Sequence, residues 1–329
     1  MLLKRLVIFI SAIMLLVSCN TDDNTNNNNN NNQNQVQKIS APDFVADSAY
    51  KYVADQVAFG ARVPNTPAHA ACALYLQNSL TNFGAEVIVQ EAKVKAYNGT
   101  MLNIKNIIGQ YNTENPNRIL LFAHWDSRHV ADHDPDFSKR NQPILGANDG
   151  ASGVGVLLEI ARQISIKQPN IGIDIIFFDA EDYGDPVGNN MESWCLGSQY
   201  WAANKHKENY FARFGILLDM VGGKGAMFTR ESLSMNYAPA IVEKVWKTAQ
   251  RIGYGSQFVD QRTHFVGTDD HVPVNEIALI PSVNIVQYNP SNGGFGDYWH
   301  THNDNLDAID KNTLKAVGQT VMEVIYSEN

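Results

Sequence analysis

Residues 173–182, IDIIFFDAED, decide the fold. Ile173, Ile175, Ile176, Phe177 and Phe178 form a short apolar run, which then turns to acid at Asp179, Glu181 and Asp182. Such a run reads as a strand buried on both faces, as in a parallel sheet with helices on either side. Ligands in open α/β folds bind outside the carboxyl ends of the strands. Two adjacent carboxylates at that place suit a metal ligand beside a proton carrier. A strand followed by a solvated acidic turn fits this stretch equally well, so the decision falls to its neighbours.

On its N-terminal side, Ile119 to Ala123 reads as another buried strand, ending in His124-Trp125-Asp126. A polar loop from Ser127 to Pro143 follows, and then Gly146 to Gly153, GANDGASG, opens a helix from Val154 to Ile166. Leu157, Leu158, Ala161 and Ile164 make the apolar face of that helix, and Asp149 lies just before it. On the C-terminal side, Phe214 to Leu218 is a third buried strand that ends in acid, at Asp219. Three successive strand ends carrying His124/Asp126, Glu181/Asp182 and Asp219 suggest one polar rim on one sheet. Further out, helices are expected at Ala49–Phe59, Ala68–Phe83, Leu196–Lys205, Ala238–Gly253 and Leu314–Tyr326. Strands are expected at Val87–Val94, at Leu102–Tyr111 with a break at Gly109, and at Ile277–Val286 with an interruption at Pro281. The whole reads as one α/β domain with no internal repeat.

The chain has 329 residues, is 44% hydrophobic and carries a net charge of −9, so it can bury a full core, and its acidic balance speaks against nucleic acid as a partner. Lys4 and Arg5 precede an apolar run from Leu6 to Val17, too short for a comfortable membrane span. Leu16-Val17-Ser18-Cys19 resembles a bacterial lipobox, in which the cysteine is lipidated and becomes the mature N-terminus. An ordinary secretory signal is the competing reading. Residues 20–38, rich in Asn and Gln, cannot bury enough surface to fold and suit a disordered tether. The expected organisation is a signal peptide over 1–19, a linker over 20–38 and a catalytic domain over 39–329. Cys72 and Cys195 sit in no metal or redox spacing; free, buried thiols are the simpler reading, and a pair in an oxidising compartment is the other.

The candidate site residues are His124, Asp126, Asp149, Glu181, Asp182, Asp219, Asp269 and His300. Oxygen and nitrogen donors of these kinds suit zinc. A catalytic zinc takes about three protein ligands and keeps an open position. The remaining members must therefore orient ligands, carry protons or hold a second metal. No HExxH helix is present, so the case rests on loops that the fold brings together.

In this order HWD, GANDGASG, FFDAED, LLDMVG and YWHTHND resemble the zinc-dependent aminopeptidase-like superfamily, over about residue 55 to the C-terminus. Ala61-Arg62-Val63-Pro64, Asp269-Asp270-His271-Val272-Pro273, Trp299-His300-Thr301 and Asn305-Leu306-Asp307 narrow the resemblance to the glutaminyl-peptide cyclotransferases, or glutaminyl cyclases. The resemblance implies a single three-layer α/β/α domain with a mixed, mostly parallel central sheet. It implies one zinc per chain, held by Asp149, Asp182 and His300, with Asp182 standing where the family usually has a glutamate. It makes Glu181 the general acid/base, Asp219 and Asp269 carboxylates that share its proton, and Trp299 and Trp194 walls of the substrate pocket. His124 and Asp126 match residues that bind or orient a first metal in two-zinc aminopeptidases and that the cyclases retain without it.

The implied reaction closes an N-terminal glutamine of a peptide or protein onto its own side chain, giving pyroglutamate and ammonia. A two-zinc aminopeptidase is the alternative, since His124, Asp149, Asp219, Asp182 and His300 fill every ligand position it needs. The expected protein is a monomer, exported and membrane-anchored through Cys19, that meets its substrates in the periplasm or at the cell surface.

Overall fold

The computed structural model describes residues 40–187, 190–263, 267–290 and 293–328. The expected signal peptide, Cys19 and the Asn-rich linker lie outside the described residues. The chain opens with two helices, α1 (Ala46–Val57) and α2 (Pro67–Asn82). Thr66 caps α2 by accepting from the His69 backbone N–H at 3.2 Å, and Pro67 takes the first-turn position where its missing N–H costs nothing. A hairpin follows, β1 (Glu86–Lys95) and β2 (Met101–Tyr111). Then come β3 (Arg118–His124), α3 (Ala151–Ile166), β4 (Gly172–Phe178), α4 (Leu196–Ala203) and β5 (Gly215–Asp219). β6 (Phe228–Arg230), α5 (Ser232–Tyr237), α6 (Pro239–Arg251), β7 (Phe258–Arg262), α7 (His271–Glu276), β8 (Ser282–Val286) and α8 (Lys311–Ser327) complete it.

Six strands form one sheet in the order β1-β2-β4-β3-β5-β8. The first two pairings are antiparallel, and β4, β3, β5 and β8 run parallel. The sheet is mixed and mostly parallel, as expected. β3, β4 and β5 are buried at every residue. Their side chains alternate between two cores. Ile173, Ile175 and Phe177 join Leu121, Ile216 and Leu218 in the core that also takes in α1, α3, α6 and α8. Ile176 and Phe178 join Leu120, Phe122 and Leu217 in the core under α4 and α7. Burying each of these side chains contributes roughly 1.5–3 kcal/mol. Asp174, the one acid inside β4, faces the second core, where Arg118 Nη2 donates to it at 2.6 Å and Tyr210 Oη at 2.7 Å.

From β3 the chain crosses to β4 on one side and then returns to β5 on the other, so the carboxyl end of β3 is the switch point of the sheet. His124 ends β3 opposite Phe178 of β4, and Asp219 ends β5 opposite Val286 of β8. The polar rim read from the sequence is therefore a single edge.

Three local expectations need correction. Gly109 does not break β2, which runs through it. A Cβ there would stand 3.0 Å from Leu80 Cδ1, so the glycine lets α2 lie close on the strand. Residues 277–280 are not strand. β8 starts at Ser282, directly after Pro281, which has no N–H for the ladder, and Ile277 and Leu279 are exposed. Neither the short helices α5 and α7 nor the two-stranded parallel sheet of β6 and β7 was anticipated. Cys72 and Cys195 are free and buried, as expected.

Candidate active site

Beyond the carboxyl edge, the backbone turns sharply in several places. Ala180 (φ 51°), Met220 (φ 48°) and His300 (φ 56°) all adopt left-handed conformations that cost non-glycine residues energy. The Ala180 turn follows β4 and aims Glu181 and Asp182 back across the sheet end. Asp126 fixes that turn: its Oδ1 accepts from the Glu181 N–H at 3.1 Å and its Oδ2 from the Asp182 N–H at 3.2 Å. Asp304 does the same for the loop before α3, accepting from the N–H groups of Asn148 at 2.7 Å and Asp149 at 3.0 Å. Arg62, fully buried, donates to the carbonyls of Trp125 at 2.9 Å and Gly146 at 2.8 Å, tying that loop to the end of β3. Gly150 (φ 99°) has no room for a side chain, since a Cβ there would stand 2.4 Å from the Asp126 carbonyl oxygen.

These turns gather Asp149, Asp182 and His300 into one cluster and His124, Asp149 and Asp219 into another, with Asp149 shared. The two differ in spacing. His300 Nε2 lies 3.7 Å from Asp149 Oδ2 and 3.5 Å from Asp182 Oδ1, too long for hydrogen bonds. Ligand atoms on a tetrahedral zinc stand roughly 3.3 Å or a little more apart, so the spacing suits an ion between them. Asp182 Oδ2 is buried with no hydrogen-bond partner, the kind of orphan that a metal satisfies. Burial holds His300 down at about 4 in spite of Asp132 beside it, which leaves the neutral imidazole that metal binding requires. By contrast, His124 Nε2 touches Asp149 Oδ1 at 3.1 Å and Asp219 Oδ1 at 3.2 Å, while its Nδ1 is 3.5 Å from Asp126 Oδ1. Burial alone would lower the His124 pKa, but these three carboxylates hold it well above the ordinary histidine value. These contacts favour the charged form of His124 at this second cluster.

Glu181, Asp219 and Asp269 all line the same pocket, a cavity of about 280 Å³ that also takes in Asp149, Asp182, His300, Trp194 and Trp299. Burial first, and then the charges of Asp269, Asp182 and Asp270 against the opposing pull of His124, push Glu181 well above the usual carboxylate range. Burial and Asp219 push Asp269 up to about 7. Burial is the larger cause in both, and the crowding of carboxylates adds to it. Asp269 is pinned by Asn284 Nδ2, which donates to it at 2.6 Å, and Cys195 Sγ donates to Glu181 Oε1 at 3.3 Å. The Trp299 ring lies over His300 with centroids 3.7 Å apart, and the Trp194 ring runs nearly parallel to His300 at 6.2 Å. Every site residue named from the sequence is present at this edge, with His124 and Asp126 beneath the pocket floor.

Four contributors escaped the sequence reading. Asp132 places Oδ1 3.0 Å from His300 Nδ1, Arg128 grips Asp132 and Asp182, Asn284 holds Asp269, and Cys195 contacts Glu181. Asp132 and Arg128 sit in a long polar loop, where composition does not tell a buried charge from a solvated one. Among the described residues, His271 belongs to none of the metal clusters and faces Glu231 at 3.4 Å.

Similarity to known proteins agrees with this geometry. Residues 106–325 match the family model of peptidase family M28. The crystal structure of Bacteroides thetaiotaomicron glutaminyl cyclase is 56% identical, with a TM-score of 0.86 over 88% of this chain and 100% of that one. A structure titled as a Zn-dependent exopeptidase, from Parabacteroides distasonis, is 57% identical with the same TM-score of 0.86 and covers 88% of this chain and 100% of its own. Aminopeptidase YwaD of Bacillus subtilis is 30% identical over 71% of this chain and 46% of its own length. The glutaminyl-peptide cyclotransferase of Dictyostelium discoideum is 25% identical over 65% of this chain and 61% of its own. The match thus spans less than two thirds of either of these two curated relatives. With the family model covering most of the described domain, and its residues converging on one carboxylate and imidazole rim, the chain belongs to peptidase family M28.

Proposed function

We propose that this protein cyclises the N-terminal glutamine of peptides and proteins to pyroglutamate, releasing ammonia, with one zinc per chain. Relatives carry both cyclase and exopeptidase names, so the choice rests on the site. The observation that carries it is the inequality of the two clusters. His300 Nε2 stands 3.7 Å from Asp149 Oδ2 and 3.5 Å from Asp182 Oδ1, with the other Asp182 oxygen unpartnered, while His124 Nε2 lies 3.1 Å from Asp149 Oδ1 and 3.2 Å from Asp219 Oδ1. A two-metal hydrolase needs both positions; an intramolecular cyclisation needs one.

Zinc bound by Asp149, Asp182 and His300 would polarise the γ-carbonyl of the substrate glutamine and favour the charge that develops on its oxygen. Glu181 takes a proton from the α-amine as nitrogen attacks the γ-carbon, and returns it to the departing ammonia. Burial and neighbouring carboxylates raise its pKa, the direction that a residue acting first as base and then as acid requires. Asp219 and Asp269 line the same pocket and share the network's protons. Trp299 and Trp194 wall the cavity so that the flexible glutamine side chain is held folded back on its own amine and away from water. No outside nucleophile enters, and proximity supplies much of the acceleration.

The apolar run before Leu16–Cys19 and the polar segment after it support a lipid-anchored, exported form of a monomeric enzyme, acting on newly exposed N-termini outside the cytoplasm. Labelling with a radioactive fatty acid, lost in Cys19→Ser, tests the anchor. The catalytic reading is tested by giving the full-length protein a Gln-initiated and a Leu-initiated peptide and following both by mass spectrometry. Loss of ammonia from the first peptide alone is expected. Release of free leucine from the second would make the protein an aminopeptidase.

A further inference from the structure

Arg128 lies behind the pocket, fully buried, in the loop after β3. Its edge makes three sets of contacts. Nε and Nη2 grip Asp132 as a fork, donating to Oδ1 at 2.9 Å and Oδ2 at 2.7 Å. Nη1 donates to the Asp182 carbonyl at 3.0 Å and to Asp182 Oδ1 at 3.2 Å. The same nitrogen reaches the Gly184 carbonyl at 3.5 Å. Its face lies under the Trp194 ring, with Cζ 4.4 Å from the centroid. Gly184 packs so tightly on Trp194 that a Cβ would stand 2.0 Å from the indole.

We propose that Arg128 is a positioning residue that joins the metal ligands to the substrate wall, so that metal binding and the placement of Trp194 depend on one another. The inference rests on Asp149, Asp182 and His300 as the ligand set. The guanidinium fork fixes Asp132, and Asp132 faces His300 Nδ1, which leaves Nε2 for the cluster. Nη1 takes up one carboxylate oxygen of Asp182 together with its peptide carbonyl. The other oxygen stays free of hydrogen bonds. With Asp126 holding the Asp182 N–H from the other side, both ends of that residue are pinned. The π-face of Trp194 then rests on the same planar cation. Movement of either ligand as a metal enters must pass through Arg128 to the indole, and the effect is reciprocal.

The test uses the full-length protein stripped of metal, with zinc affinity read by competition against a chromophoric chelator and tryptophan emission read in parallel. Zinc should change the emission of the unmodified protein, and the part of that change that Trp299, stacked on His300, does not carry should vanish in Trp194→Phe. Arg128→Gln should bind zinc roughly 10- to 100-fold more weakly and lose the Trp194-dependent change. Arg128→Lys should recover part of the affinity through its charge but not the emission response, because an ammonium offers no planar face or fork. If Arg128→Gln does not fold by circular dichroism, Arg128→Lys alone decides. Zinc binding and an emission response in the Arg128 variants equal to those of the unmodified protein would overturn the inference while leaving the ligand set intact. Failure of the unmodified protein to bind zinc would overturn both.

Discussion

Glu181 carries the heaviest chemical demand of any single residue. It must be a base toward an amine and an acid toward ammonia, and it is placed where burial and neighbouring carboxylates disfavour its charge. Glu181→Gln keeps the size of the side chain and removes the proton transfer, so turnover of a Gln-initiated peptide should fall about 10²- to 10⁴-fold, with zinc content unchanged by atomic absorption. Asp126 works differently. It touches no substrate position, but both its oxygens hold the backbone that presents Glu181 and Asp182. Asp126→Ala should therefore weaken zinc binding and activity together, each by roughly 10- to 100-fold. A variant with full zinc affinity and lost activity would assign Asp126 to the chemistry instead.

The strand ends gather the site and the glycines let them approach. Gly153, in the first turn of α3, would place a Cβ 2.1 Å from the Leu218 carbonyl oxygen and 2.9 Å from Ala123 Cβ. Gly153→Ala must therefore push α3 away from β3 and β5, at a cost of about 3 kcal/mol or more, measurable as a lowered midpoint in urea. Retention of the native midpoint would mean that the helix gives way without loss. The elements that carry the site were the legible ones. Apolar runs such as Ile173–Phe178 stop abruptly at an acid, because a buried strand tolerates no unpaired charge until it leaves the sheet, and Asp174 within the run is paired with Arg118. The GANDGASG loop is equally visible, since glycines crowd where Gly150 and Gly153 meet backbone. Elements lacking such contrast were missed. α5 and α7 each have six residues, too few to show a helical period, and the apolar stretch at residues 277–280 resembles a strand although Pro281 delays the ladder. Arg128 and Asp132 were invisible for another reason: their importance lies in burial and in partners distant along the chain, neither of which a polar loop reveals.

Across the whole molecule, the site is bought with stability. Asp269 and Asp304 are each pushed up to about 7 by burial, and Glu181, Asp182, Asp219 and Asp270 are raised as well. A group whose folded pKa exceeds its unfolded one gives stability that is present below the unfolded value and lost as pH rises through the folded value. His129, His206 and His300, lowered to about 4 by burial, and His133, also lowered, act in the opposite sense up to the ordinary histidine value of about 6.5. The lowered carboxylates Asp132 and Asp149 do the same at the acid end, so the raised carboxylates prevail above that histidine value. The metal-free protein should thus melt at a falling temperature as pH rises from about 6.5 to 8, and zinc should restore much of the loss at pH 7 because it binds only the folded state. A metal-free melting temperature that rises steadily over that interval would show that the cluster does not carry the strain ascribed to it. The central claim, a cyclase with one zinc, is tested most directly by adding zinc stepwise to the metal-free, full-length protein and following ammonia release from a Gln-initiated peptide. Activity that grows in proportion to zinc and levels off at one ion per chain is the predicted result. Activity that appears only as a second ion binds, with free amino acids as product, would contradict it.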